Sequence, residues 1–185
     1  MPFSRCHIAV GFAAVLCAAP AWAQGVKTVG GAPMYPTKNI VQNAVNSKDH
    51  TTLVAAVKAA GLVDTLQTAG PFTVFAPTNQ AFAKLPAGTV ETLVQPASKE
   101  KLSAILTYHV VPGRYTARDL MALIKQGRGQ TQLKTVQGET LTLMPGQSGK
   151  ALFVSDMKGN EARITTADVM QSNGVIHVID TVVMP

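Results

Sequence analysis

Three histidines, His50, His109 and His177, lie beyond the apolar N-terminal segment of this 185-residue chain. They are the side chains best suited to acid–base catalysis or metal binding. Each is isolated in the sequence, and none has a second ligand at the i+2 or i+4 spacing of common zinc sites. The two cysteines, Cys6 and Cys17, both lie in the N-terminal segment. We therefore predict no metal site and no cofactor.

A hydrolytic Ser/His/Asp set can be assembled from Ser103, a histidine and Asp180, but triads are recognised by their geometry and not by their presence in a sequence. The chain has no Gly-x-Ser-x-Gly, His-Glu-x-x-His, P-loop or Gly-x-Gly-x-x-Gly motif. Asp156 and Asp168 are more typical of turn and strand-end carboxylates than of a glycosidase pair. We predict no catalytic residue and a protein that is not an enzyme.

The first 23 residues have the pattern of a secretory signal peptide. Arg5 precedes an apolar run over residues 8–19, and Ala21-Trp22-Ala23 is a small-x-small cleavage pattern before Gln24. The run is shorter than the roughly 20 residues that a membrane-spanning helix needs. We predict cleavage near Ala23, no transmembrane span and a secreted or periplasmic protein. An uncleaved signal anchor is the alternative.

The charge of the chain is mildly basic, with 16 Lys and Arg against 10 Asp and Glu and a formal net charge of +6. Loss of Arg5 with the signal peptide lowers the net charge to +5. The basic residues are scattered singly, whereas nucleic-acid binding needs a concentrated stripe, so we predict no nucleic-acid partner. A solvated basic surface is expected, with weak attraction to anionic cell-surface polymer as the alternative.

The N-terminal half of the mature chain has helical periodicity. Residues 24–38 contain Gly and Pro without a period, which predicts a flexible leader. Asp49–Ala60 is predicted as a helix, capped by Asp49 and ended by Gly61. Lys99–His109 is predicted as a second helix. Its core face carries residues at i, i+3, i+4 and i+7, namely Leu102, Ile105, Leu106 and His109.

The C-terminal half is rich in strand patterns. After a strand at 72–75, apolar and β-branched runs separated by Gly, Pro and Asn turn signals predict antiparallel strands and hairpins at Leu133–Val136, Glu139–Met144, Ala151–Ser155, Ala162–Thr165 and Gly174–Val183. Helices followed by strands favour an α+β fold. No period of 20 to 50 residues repeats, so residues 39–185 are predicted to form a single domain.

Three segments carry a family resemblance. They are Thr73-Val-Phe-Ala-Pro-Thr-Asn-Gln-Ala-Phe82, Tyr108-His109-Val110-Val111 and Asn173-Gly-Val-Ile-His-Val-Ile-Asp-Thr-Val-Val-Met-Pro185. The first and third segments resemble the two signatures of the fasciclin domain family, and the second resembles the Tyr-His pair that lies between them in that family. The resemblance implies a fasciclin-like fold, with N-terminal helices packed against an antiparallel β-rich wedge or sandwich. It also implies an extracellular module used in cell adhesion and matrix contact.

Tyr108, His109 and Asn79 are the candidate binding residues. The resemblance implies that the Tyr-His pair chiefly ties helix to sheet, and that it contributes to adhesion in animal members. A histidine on a core face is more often a buried neutral group than a catalyst. Asn79 or Thr78 can cap the helix that carries Phe82, or Asn79 can contribute to a binding loop. In the closing strand, Asp180 lies on the same face as the apolar residues at alternate positions. We therefore expect its carboxylate to have a structural partner.

The expected function is that of a secreted, non-enzymatic module that binds a cell-surface or matrix protein or polysaccharide. The alternative is a carrier of an apolar small molecule such as a pigment or lipid, since 46% of the residues are hydrophobic and some family members bind pigments. The acidic integrin-contacting motifs of animal relatives are not recognisable in Asn46–His50. The sequence leaves the partner and the oligomeric state open.

Overall fold

The computed structural model describes residues 26–68, 70–86, 88–93, 95–146 and 151–185. The predicted signal peptide and its cleavage site near Ala23 lie outside them. Within the described residues the α-helices are α1 (Ile40–Ala44), α2 (Thr51–Ala60), α3 (Val63–Gln67), α4 (Asn79–Ala83), α5 (Thr89–Leu93), α6 (Lys99–Tyr108) and α7 (Ala117–Gln126). Two 3₁₀ turns cover Lys48–His50 and Pro96–Ser98.

The strands form a small hairpin and a larger mixed sheet. The hairpin pairs β1 (Lys27–Val29) with β2 (Ala32–Met34). The larger sheet has the order β4-β3-β9-β8-β7-β6-β5. Its strands are β3 (Phe72–Pro77), β4 (Val110–Pro112), β5 (Thr131–Lys134), β6 (Thr140–Pro145), β7 (Leu152–Ser155), β8 (Glu161–Gln171) and β9 (Gly174–Ile179).

Strands β5 to β9 follow one another as antiparallel neighbours, whereas β3 pairs in parallel with β9. The parallel register runs from Phe72 opposite Gly174 to Pro77 opposite Ile179. The far ends of the sheet also approach each other, because the amide of Val136, just after β5, donates to the carbonyl of Val110 in β4 at 2.8 Å. The sheet is therefore a wedge that is nearly closed into a barrel.

Two hydrophobic cores lie on opposite sides of β3 and β9. The helix-side core packs α1, α2, α3, α4 and α6 against one face of these strands, through residues such as Val74 and Ile176. The sheet-side core lies within the curved sheet and includes Phe75, Ile179 and the buried residues of α7. All six residues of β9 are buried, as expected for a strand covered on both faces.

The helix ends follow local sequence signals. Gly61 ends α2 in the left-handed conformation with φ 73°, as predicted. The start of α7 has a capping box, in which the Thr116 hydroxyl accepts from the Asp119 amide and the Asp119 carboxylate accepts from the Thr116 amide. The prediction that Asp49 caps α2 is wrong, because Asp49 lies within the preceding 3₁₀ turn.

The predicted α+β fold is confirmed, with helices preceding a strand-rich half. Each of the five predicted C-terminal strands overlaps an observed one, but β5 begins and ends two residues earlier than predicted, β8 is longer and β9 is shorter. The segment 24–38, predicted as a flexible leader, contains β1 and β2. Val29 and Met34 of this hairpin are buried in the helix-side core, so its pairing depends on contacts that a local pattern does not show.

Gly174 provides a test of the parallel pair. A Cβ at this position would lie 2.1 Å from the carbonyl oxygen of Phe72, which belongs to the strand backbone and cannot move independently. We expect Gly174→Ala to lower the free energy of unfolding by about 3 kcal/mol, measured by urea denaturation.

The matched control is Gly31→Ala in the β1–β2 turn. A Cβ there meets no atom within 4 Å, but φ is +75°. In this control the free energy of unfolding should fall by about 1 kcal/mol, because alanine is strained in the left-handed conformation. Equal losses in the two variants would show that the approach of β3 to β9 does not require glycine.

Candidate functional site

Tyr108 and His109 are adjacent in the chain, but their side chains enter different cores. Tyr108 ends α6, is 0% exposed in the sheet-side core and donates its hydroxyl hydrogen to the carbonyl of Thr140 at 3.1 Å. His109 is 2% exposed and lies against the helix-side core, and its carbonyl accepts from the amide of Phe75 at 2.9 Å. The pair thus connects α6 to β3, β6 and both cores.

The imidazole of His109 is held in one neutral form. Its Nδ1 lies 2.8 Å from the carbonyl oxygen of Ile105, and because a carbonyl can only accept, Nδ1 carries the hydrogen. Burial lowers the pKa of His109 to about 4, although the Ile105 carbonyl opposes part of this shift. Nε2 of His109 therefore carries a lone pair, and it has no hydrogen-bond partner within the described part of the chain.

His109 lines a cavity of about 50 Å³ in the helix-side core. The walls come from α1, α2, α3, the end of α6 and the helix-facing residues of the sheet, among them Leu53, Val74 and Ile176. Every lining residue is apolar except His50, Lys58 and His109. Among the lining residues, Lys58 of α2 is the only exposed one.

His50 is the second buried histidine at this cavity. It is 3% exposed, and its Nδ1 lies 2.9 Å from the hydroxyl oxygen of Ser47. Burial lowers the pKa of His50, while the nearby carbonyl of Ala76 and the charge of Asp49 oppose the shift. Nε2 of His50 also lacks a hydrogen-bond partner among the residues with described positions. His50 and His109 thus both line one apolar cavity, while their Nε2 atoms are buried behind its surface.

Asn79 stabilises a helix other than the one in which it lies. Thr78 is the cap of α4, and its hydroxyl oxygen accepts from the amide of Ala81. The side chain of Asn79 instead reaches the start of α2, where its Oδ1 accepts from the amide of Thr52 at 3.0 Å. Its Nδ2 donates to the carbonyl of Lys48 at 2.8 Å. Asn79 therefore caps α2 from outside that helix.

His177 is completely buried and bonded to backbone groups. Its Nε2 donates to the carbonyl of Tyr115 at 2.8 Å, and its Nδ1 faces the amide of Asp168 at 3.4 Å. The ring stacks on Phe75 with 5.7 Å between centroids. Burial lowers the pKa of His177, and the Tyr115 carbonyl and the charge of Asp168 oppose the shift. The ring joins β9 to the segment before α7.

Asp180 has the structural partner that the sequence predicts. Its Oδ1 accepts from the amide of Arg163 at 2.9 Å and from the hydroxyl of Thr181 at 3.0 Å. Lys84 lies 3.8 Å from its other oxygen in a largely exposed ion pair, which contributes little stability. The hydrogen bonds of Asp180 do not link it to Ser103 or to a histidine.

The two remaining acids have different structural roles. Asp156 follows β7, as predicted for a turn carboxylate, and accepts from the amides of Lys158, Asn160 and Met184. These bonds and the side-chain bond from Asn160 lower its pKa in spite of burial. The prediction that Asp168 ends a strand is wrong, because it lies inside β8 at a register irregularity, with φ 57°. Its carboxylate accepts from the first amide of α7 at 2.6 Å.

Sequence analysis missed a buried amide cluster at the β8–β9 turn. Asn173 accepts from the amide of Ile40 at 3.1 Å and donates to the carbonyl of Leu66 at 2.7 Å, so it connects α1 and α3 to the sheet. Asn43 donates to Gln171 in the same region. The sequence signal for Asn173 is its place at the start of the closing signature, where Asn-Gly predicts a turn.

Among the described residues, no three His, Cys, Asp or Glu side chains converge as a metal-binding group. No helix in those parts of the chain is long and apolar enough to cross a membrane.

The fold and the buried Tyr-His pair define a small α+β module in which helices pack on a nearly closed sheet. The family model of the fasciclin domain matches residues 48–185. This chain therefore belongs to the fasciclin domain family.

Known proteins with similar chains include a bacterial relative of high identity. The chain is 52% identical over 146 residues to protein sll1483 of Synechocystis, covering 79% of this chain and 73% of the relative. It is 37% identical over 147 residues to the cell surface glycolipoprotein MPB83 of Mycobacterium bovis, covering 77% of this chain and 58% of the relative.

A solved structure of a FAS1 domain pair from the insect cell adhesion molecule fasciclin I resembles this chain with a TM-score of 0.67. The match covers 78% of this chain and 50% of that chain at 21% identity. At this identity the likeness concerns the fold.

The buried histidines predict that acid destabilises the protein. Between about pH 4 and pH 6.5 the unfolded chain binds a proton at His109 that the folded chain does not, so the free energy of unfolding falls as pH decreases through this range. At 1.36 kcal/mol per pH unit, acidification from pH 7.5 to pH 5 should cost about 2 kcal/mol through His109. His50 and His177 act in the same direction.

Urea denaturation at the two pH values measures this loss. In His109→Gln the side-chain amide can still donate to Ile105 but does not titrate, so the loss should shrink by about 2 kcal/mol. An unchanged pH dependence in this variant would contradict the neutral, buried state of His109.

Asn79 is expected to stabilise α2 through its cap. Asn79→Ala leaves the amide of Thr52 and the carbonyl of Lys48 without this partner, and should lower the free energy of unfolding by about 2 kcal/mol. The amide hydrogen of Thr52 should exchange faster with solvent. The control Thr78→Ala removes an ordinary cap worth about 1 kcal/mol and should leave Thr52 unchanged. Protection of Thr52 that survives in Asn79→Ala would refute this role.

Proposed function

We propose that this chain is an exported adhesion module that binds a cell-surface or matrix protein or polysaccharide. The family match over residues 48–185 carries the proposal, since the fasciclin domain is an adhesion-type extracellular module. The similar mycobacterial protein is named as a cell surface glycolipoprotein, which supports a surface location. The N-terminal sequence pattern supports export through the signal peptide predicted to end near Ala23.

The partner binds outside the Tyr-His pair in this proposal. Tyr108 and His109 are almost completely buried, and both are bonded to backbone carbonyls. A macromolecule could touch these side chains only if the domain opened. The pair instead supports adhesion indirectly, because it holds α6 and the sheet in one rigid arrangement on which surface residues are displayed.

Helix α7 offers a surface of suitable charge. Arg118 and Lys125 are exposed and lie seven residues apart, so they share the helix side opposite the buried Leu120 and Ile124. Arg114 and Arg128 are exposed just before and just after the helix. Within 114–128 the only acid is Asp119, which belongs to the capping box. We call these four basic residues the α7 basic face, and it suits an anionic partner.

The carrier alternative is less well supported for a pigment or a lipid. Ligand pockets for molecules of that size measure about 300–1,000 Å³, whereas the cavity beside His109 has about 50 Å³. Such a ligand would require the helices to move apart from the sheet, which exposes the helix-side core. Adhesion through the surface needs no such movement, so it is the function we favour.

The proposal predicts saturable binding of the purified protein to intact producing cells. Part of this binding should come from the α7 basic face. That part should weaken at high salt, because salt screens exposed charges over about 10 Å at 0.1 M ionic strength. Reversal of two charges in Arg118→Glu/Lys125→Glu should weaken binding about tenfold at low salt, which corresponds to about 1.4 kcal/mol. Sedimentation of the protein with cells at low and high salt measures both effects.

The matched control is Lys101→Glu/Lys158→Glu, which makes the same change in net charge at exposed positions away from α7. It should bind nearly as well as the original protein. Equal weakening in the two double variants would assign the attraction to net charge and not to α7. Absence of binding at both salt concentrations would refute the adhesion proposal.

A further inference from the structure

The C-terminal end of α7 has an arginine at a position where helix ends of this kind usually have glycine. The amide of Gly129 donates to the carbonyl of Ile124 at 2.9 Å, and the amide of Arg128 donates to the carbonyl of Lys125 at 3.3 Å. These two bonds form a Schellman motif, whose left-handed residue is here Arg128, with φ 58°. Because glycine adopts this conformation without a steric cost, the arginine makes the end of α7 less stable than glycine would.

Nothing that the Arg128 side chain does within the protein compensates for this strain. The side chain is exposed, and it has no hydrogen-bond or ion-pair partner among the described residues. The backbone around it is tightly folded, since a Cβ on Gly127 would overlap the carbonyl oxygen of Gln130. Strain of this kind is typical of positions that are kept for function at the expense of stability. We therefore examined what the Arg128 side chain could bind.

Arg128 belongs to a strongly basic stretch of the chain. Residues 114–128 contain four of the 16 Lys and Arg but one of the 10 Asp and Glu, so they hold +3 of the formal net charge of +6. Three of the five arginines of the chain lie in this stretch. Its one acid, Asp119, accepts from the amide and the hydroxyl of Thr116. No cation of the α7 basic face forms an ion pair with an acid in the described ranges.

The shape of the α7 basic face suits a long, narrow anion better than a folded protein. Arg118 and Lys125 lie seven residues apart, so a partner that lies along the helix and pairs with both spans about 10 Å. The exposed residue between them on this side is the small Ala122. Protein interfaces are centred on aromatic and other large apolar side chains. None of the large apolar side chains that are exposed in the described parts of the chain lies within 114–128.

We propose that the α7 basic face binds a linear polysaccharide whose sugars carry carboxylates, and that Arg128 pairs with one of these carboxylates. A guanidinium group binds a carboxylate through two parallel N–H donors, which explains an arginine at a position that glycine would stabilise. A stiff polysaccharide loses less conformational freedom on binding than a flexible acidic peptide does. The inference names the class of partner for the adhesion function proposed above, and it rests on that function.

The test measures binding of the purified protein to polygalacturonate by titration calorimetry at low salt. Methyl-esterified polygalacturonate has the same sugar chain without the charges, and polyglutamate of similar length carries the carboxylates on a flexible peptide. Polygalacturonate should bind more tightly than either of these two polymers. Absence of polygalacturonate binding, or equal or tighter binding of either control polymer, would overturn the proposal.

The variant Arg128→Gly separates binding from folding, because the two properties should change in opposite directions. Glycine relieves the left-handed strain, so the urea midpoint should rise. The affinity for polygalacturonate should fall about threefold, as expected for the loss of one exposed charge pair. The control Lys158→Gly removes one charge from an exposed position away from α7 and should leave the affinity nearly unchanged. A lower urea midpoint or an unchanged affinity in Arg128→Gly, or equal losses of affinity in the two variants, would contradict the proposal.

Sedimentation of the protein with producing cells distinguishes failure of this inference from failure of the adhesion proposal. Soluble polygalacturonate should displace the protein from the cells. Saturable binding to cells that polygalacturonate does not displace would refute the polysaccharide partner and leave adhesion standing. Absence of binding to cells at both salt concentrations would instead refute adhesion itself.

Discussion

Strands β3 and β9 pair in parallel between β4 and β8, and both hydrophobic cores are built on this pair. Val74 and Ile176 face the helices, while Phe75 and Ile179 face the interior of the curved sheet. The two strands lie about a hundred residues apart in sequence, so their pairing must overcome a large loss of chain entropy. Burial on both faces supplies the compensating free energy.

The pair also sets the position of the polar groups in the interior. His109 follows α6 and is bound through its carbonyl to the amide of Phe75 in β3, while His177 in β9 stacks on the ring of Phe75. Asn173 precedes β9 and bonds to α1 and α3. Each of these side chains satisfies backbone groups that the close packing of helices on the sheet removes from water.

This arrangement explains why the family motifs contribute little to the outer surface. The Tyr-His pair and Asn79 bond to backbone atoms, so their residue types are required by the fold. In the adhesion function proposed above, exposed residues such as those of the α7 basic face bind the macromolecular partner, because their side chains are not used to build the cores. Among the described groups, Nε2 of His109 is the one side-chain atom of these motifs that is buried without a hydrogen-bond partner.

The sequence alone determined the α+β class, the order of the C-terminal strands, the stop of α2 at Gly61 and the core-facing position of His109, because these depend on local periodicity and turn chemistry. The tertiary structure decided the parallel pairing of β3 with β9, the burial of the β1–β2 hairpin and the capping of α2 by Asn79. It also brought His50 and His109 to one cavity. Each of these contacts joins segments that are distant in the chain. Local patterns do not show which distant group completes a hydrogen bond or which distant segment covers an apolar face.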